Sequence, residues 1–219
     1  MGATLTTERE DAPAETSSRR LILWMIAVAT VEVAFQVLRL QQTKPGVWLA
    51  IDYASRLAAL ALLAVDPVLR RVVYGRRPLR FRVRRLAAWS AAFVVLHLAR
   101  VELGPFLYQH LPDMRLGIYP RPSGLLYLFD MTVGVALVAI HEELFFRRAM
   151  RATLAGLGNE TAIVAISAVL FGLHHWWTGI PNILGNLVFG ILAMVFYRRS
   201  GAIWPLMVIH YLDDFVWFR

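Results

Sequence analysis

A chain of 219 residues with 58% apolar and 17% charged side chains is too hydrophobic for an ordinary soluble domain, which carries about 45–50% apolar and about 25% charged residues. The net charge of +8 is almost wholly Arg, with Lys44 the only Lys. These cations lie between apolar runs, which points to lipid head groups and excludes nucleic acid as the main partner. The absence of Cys excludes disulfides, thiol nucleophiles and cysteine-ligated metal.

Residues 1–20 are polar and end in Arg19 and Arg20. They read as a disordered cytoplasmic tail before a retained first helix, because the run from Leu21 to Leu40 is too long for a typical signal-peptide core. Apolar segments follow at 21–40, 47–65, 86–103, 124–155, 160–177, 182–197 and 202–218. Backbone polar groups in lipid must pair within their own segment, so these are helices. The expected fold is all-α: a polytopic bundle of about seven transmembrane helices. It forms a single transmembrane domain over 21–219, with a catalytic core at about 125–215.

Eight Arg fall between residues 70 and 85. By the positive-inside rule this loop is cytoplasmic, which gives an N-in, C-out layout and an integral membrane protein, expected in a bacterial inner membrane.

Ionisable residues inside such helices are functional candidates by default. Three clusters stand out: His141-Glu142-Glu143 with Arg147, Phe171 with His174 and His175, and His210 with Asp213 and Asp214. Glu143 and Arg147 are i and i+4 and share a helix face, as do His210 and Asp214. With the turn at Gly156–Asn159 as a hairpin tip, Glu142 lies 16 residues before Gly158 and His175 lies 17 after it. Both then sit roughly 25 Å from the tip, at one depth. A carboxylate beside an imidazole in a dry cavity can take a proton from water, and a second polar group can stabilise the resulting oxyanion. The predicted chemistry is hydrolysis without metal or other cofactor.

The rival readings fare worse. His141-Glu142 opens the zinc-protease pattern His-Glu-x-x-His, but position 145 is Phe. A zinc site of Glu142, His175 and His210 remains conceivable. Ser167 lacks a Gly-flanked motif, and Asp130 lacks a supporting one. A proton-coupled carrier, or a non-enzymatic immunity or partner-binding protein, would use the same cluster. Glu32, Asp52 and Arg56 are expected to pair with each other or face the bundle interior, and Asn182, Asn186 and Phe171 are candidates for touching substrate.

The order Glu-Glu-x-x-x-Arg, Phe-x-x-x-His and His-x-x-x-Asn/Asp on successive helices resembles the CPBP family of glutamic intramembrane proteases, which includes CAAX-processing and bacteriocin-associated enzymes. Glu142, Glu143 and Arg147 match the first motif, Phe171 and His175 the second, and His210 and Asp214 the third. The resemblance implies that Glu142 activates water with help from His175. It implies that the Glu143–Arg147 pair orients Glu142, and that His210 and Asp214 line the oxyanion side. Asp214 stands where Asn is commoner. An ionised Asp only accepts hydrogen bonds, so Asp214 must carry a proton or act by orienting His210. The implied substrate is a membrane protein or a lipidated or tagged peptide within the bilayer.

Overall fold

Proline and glycine set most of the helix ends. A computed structural model describes residues 15–219, with side chains described from Arg19 onward. Of the tail expected at 1–20, residues 1–14 lie outside the described residues, and 15–20 already belong to the first helix, which begins at Glu15. The helices are α1 (Glu15–Leu40), α2 (Pro45–Val65), α3 (Pro67–Tyr74), α4 (Val83–His110), α5 (Gly124–Leu157), α6 (Glu160–His174), α7 (Ile180–Ser200) and α8 (Trp204–Phe218). No strand occurs among the described residues. Proline takes the first turn of α2, α3, α7 and α8, where a missing N–H costs nothing.

The chain is an all-α, polytopic membrane protein. All seven apolar segments are helical, but among the described residues only α1, α2, α4, α5 and α7 are long and apolar enough to cross a bilayer. Helices α6 and α8 have 15 residues each, about 22 Å of rise, and so fall short of the seven spans expected. Helix α6 ends early because His175 caps it and a tight turn at Trp176–Thr178 leads into Gly179, whose φ of +93° suits glycine. Helix α4 differs in the other direction: it runs through Pro105 to His110, beyond the expected end of its apolar segment at residue 103.

Two local features were not anticipated. Helix α3 lies inside the Arg-rich segment. The Asp66 carboxylate accepts from the N–H groups of Val68 (2.8 Å) and Leu69 (3.0 Å) to cap it. Leu69 and Val73 are buried while Arg70 and Arg71 face out, the pattern of an interfacial helix. Helix α5 contains wide π-type turns at Asp130–Gly134 and Leu144–Ala149, the second directly after the paired glutamates. Such turns often mark functional sites. Ser167 of α6 donates to the Phe146 carbonyl inside that turn at 2.7 Å, a structural use of this serine.

Helices α6 and α7 form the tightest pair. A Cβ at Gly172 would lie 2.8 Å from the Ile183 carbonyl oxygen, and one at Gly190 3.0 Å from Ala168 Cα. Small residues permit this backbone approach, as is common between membrane helices. The core beside it is aromatic, with Trp89 and Phe93 of α4 edge to face on Phe196 of α7 and Phe93 tilted against Phe189.

Candidate active site

The second and third motifs meet α5 around one cavity of about 300 Å³, lined by Glu142, His174, His175, Asn182, Asn186, His210, Asp213 and Asp214 among others. Its rim comes from the exposed Arg115 and Ile118 of the loop after α4, the half-buried Trp177 of the turn after α6 and the exposed Trp217 at the end of α8. That is the end of the bundle opposite the Arg-rich segment, which packs against the start of α1 and the end of α7 through Arg20–Asp66 and the Arg80 N–H to Ser200 carbonyl bond.

Glu142 is 2% exposed. Its Oε1 accepts from Arg56 Nη1 at 2.9 Å, whereas Oε2 has no hydrogen-bond partner and lies 3.8 Å from His210 Nε2. His175 Nδ1 donates to the Phe171 carbonyl oxygen at 2.9 Å, one helical turn back. That bond fixes the ring and leaves Nε2 without a proton to accept one. His210 Nδ1 donates to Glu143 Oε1 at 2.8 Å, and its Nε2 lies 3.6 Å from Asp214 Oδ2. Both nitrogens of this ring thus face carboxylate oxygens, an arrangement complementary to an imidazole carrying a proton on each.

The supporting pair differs in detail from the expectation. Glu143 Oε2 accepts from Arg147 Nε at 3.1 Å, and both side chains are fully buried. The other oxygen of Glu143 goes to His210, so this pair holds the histidine of α8 rather than Glu142. Arg147 lies 4.5 Å from the centre of the Phe171 ring. Phe171 is fully buried, does not line the cavity, and also packs edge to face on His175 and His210. The expectation that it touches substrate gives way to a packing role: its ring fills the space that aligns three site residues.

Asn182 and Asn186 do line the cavity, joined by a bond from Asn186 Nδ2 to Asn182 Oδ1 at 3.2 Å. Asp213 turns away from Asp214 to pair with His97 (2.6 Å) and Arg100 (3.0 Å) of α4. His174 contacts Gln36 Nε2 at 3.3 Å. Asp130 accepts from the hydroxyls of Tyr53, at 2.5 Å, and Tyr119, tying the loop after α4 to α5 beside the cavity. Among the described residues, no group of three or more His, Asp or Glu side chains converges as a metal site.

Sequence reasoning placed Arg56 among residues pairing within α1 and α2; its direct contact with Glu142 was missed. The only signal was an ionisable side chain in an apolar helix.

Residues 124–216 match the family model described as Rce1-like: Type II CAAX prenyl endopeptidase Rce1-like. No curated protein and no solved structure matches the chain. The matched stretch holds both glutamates, all three cavity histidines and Asp214. Residues 124–216 are thus similar to the Rce1-like type II CAAX prenyl endopeptidases, and this stretch is the part of the chain that carries the likeness.

Proposed function

We propose that this protein cleaves a peptide bond within the membrane with Glu142 as the general base, His175 assisting, and no metal. The observation that carries this reading is Oε2 of Glu142, which has no hydrogen-bond partner and lies 3.8 Å from His210 Nε2, with both residues lining the cavity. A water bound there gives its proton to Oε2, and its oxygen attacks the scissile carbonyl carbon. His175 Nε2 accepts the water's second hydrogen bond. The carbonyl oxygen becomes the oxyanion and takes the N–H of His210 Nε2. When the C–N bond breaks, the proton held by Glu142 passes to the leaving nitrogen. The lone Nε2 position of His210 between two carboxylates supports its role as that donor.

Asp214 fits as a protonated acid or as an orienter of His210. Asp214→Asn is therefore expected to keep kcat within about tenfold of wild type, because an amide supplies a donor where an ionised carboxylate only accepts. A loss of two orders of magnitude would assign Asp214 a proton-transfer role that an amide cannot fill.

The substrate we propose is a membrane-associated peptide or protein, lipidated or tagged, entering from the rim lined by Arg115, Ile118, Trp177 and Trp217. With the Arg-rich segment cytoplasmic, that rim faces the other side and favours exported or membrane-anchored proteins. The test is a mass-spectrometric comparison of membrane-protein termini in cells carrying the wild-type chain or Glu142→Gln, with and without a zinc chelator. Termini that depend on Glu142 and persist under the chelator are expected. Identical termini in both cells would overturn the peptidase reading. Chelator inhibition reversed by zinc would overturn metal independence.

A further inference from the structure

Glu142 is held from outside the matched domain. Arg56 of α2 bridges two carboxylates with separate edges of its guanidinium, Nε to Asp52 Oδ2 at 3.0 Å and Nη1 to Glu142 Oε1 at 2.9 Å. Asp52 is paired in turn with Arg39 of α1, whose guanidinium lies 4.4 Å from the Trp48 ring centre and 4.7 Å from that of Trp177. Arg56 Nη1 also lies 3.2 Å from His141 Nδ1, and the other nitrogen of that ring pairs with Glu32 of α1. Arg39, Asp52, Glu32, His141 and Glu142 are all at most 5% exposed. Two arginines against Asp52 and Glu142 leave that part of the ladder neutral, as burial requires.

We propose that Arg56 is a positioning residue for the peptidase reaction, and that α1 and α2 complete a site which the matched domain leaves unfinished. The inference rests on the reading of Glu142 as the general base. A carboxylate torsion is broad and roughly two-fold, so a lone glutamate samples both oxygens. Arg56 takes Oε1 and Asp52 fixes Arg56, so Oε2 alone is presented to the attacking water. Bidentate, planar bridging of this kind is specific to Arg; an ammonium supplies a point charge without the second edge.

The test uses the full chain in vesicles of phosphatidylethanolamine and phosphatidylglycerol. The probe is a quenched-fluorescent peptide ending in farnesyl-cysteine, two aliphatic residues and a free carboxylate. Arg56→Gln is expected to lower kcat about 10- to 100-fold, the worth of one charge-assisted hydrogen bond, with KM changed by no more than about threefold. Arg56→Lys should recover part of the loss. A purely structural Arg56 would reduce the folded fraction and leave kcat per folded molecule unchanged, and that result overturns the proposal. Glu142→Gln in the same assay separates the two readings. If it stays active, the glutamate mechanism fails; if it is inactive while Arg56→Gln turns over at the wild-type rate, only the positioning role fails. A measurement independent of any peptide completes the test. Labelling of Glu142 by dicyclohexylcarbodiimide, read by mass spectrometry, should rise in Arg56→Gln once the ion pair is gone, and equal labelling in both proteins overturns the proposal.

Discussion

Glu142→Gln is expected to abolish peptide cleavage, with kcat down by about 10⁴ at the upper end of what a positioned general base contributes. The amide oxygen can still accept the Arg56 hydrogen bond seen at 2.9 Å, so the fold and the neighbouring ladder should survive. What disappears is the ability to take a proton at the position of Oε2. A substitution that removes an interaction made only in the transition state lowers kcat and kcat/KM alike. KM should therefore change little, and the variant should still bind an uncleaved peptide. The check is steady-state kinetics beside a binding measurement on the same vesicles. Cleavage at more than about a tenth of the wild-type rate would shift the proton acceptor to another group, because a general base contributes at least about 10².

Much of this arrangement was legible in the sequence, for reasons that differ from residue to residue. Hydropathy located the helices because lipid forces backbone self-pairing. Helical periodicity placed His210 and Asp214 on one face, and their side chains do approach at 3.6 Å. The hairpin count put Glu142 and His175 at one depth, and both line one cavity. What escaped were contacts between helices distant in sequence. Nothing in local spacing could reveal that Arg56 reaches Glu142 across 86 positions, or that Glu143 splits its two oxygens between Arg147 and His210. Neighbouring Asp213 and Asp214 are indistinguishable in composition. Both line the cavity, but only the packing of α4 against α8 pairs the first with His97 and Arg100 and leaves the second beside His210. Phe171 was ambiguous for a similar reason, since a motif position says that a residue matters and not whether it meets substrate or holds its neighbours. The short α6 escaped because the apolar run continues through Trp176 and Trp177, past the residue whose side chain ends the helix.

Glu143→Ala is expected to be the most damaging substitution for the fold. It strands the Arg147 guanidinium, which is fully buried, with Nη1 and Nη2 already lacking hydrogen-bond partners. Breaking a buried pair by removing one partner costs about 3–5 kcal/mol, a large share of the stability of most proteins. The variant should unfold at markedly lower temperature in mild detergent, or fail to accumulate. That outcome alone would not separate scaffold from chemistry, and the double variant Glu143→Leu with Arg147→Leu does so. Replacing both ions by apolar side chains of similar size leaves no charge stranded, and such exchanges are often neutral or stabilising. The fold should therefore return. Activity should not, because His210 Nδ1 loses the acceptor 2.8 Å away, and with it the hydrogen bond that fixes the ring and aims Nε2 at the cavity. A second-layer partner of this kind typically controls about 10- to 100-fold. A double variant that is both stable and fully active would mean that Glu143 and Arg147 serve packing alone, and that His210 is aimed by Phe171 and Phe189, whose rings lie 6.1 and 4.9 Å from its own.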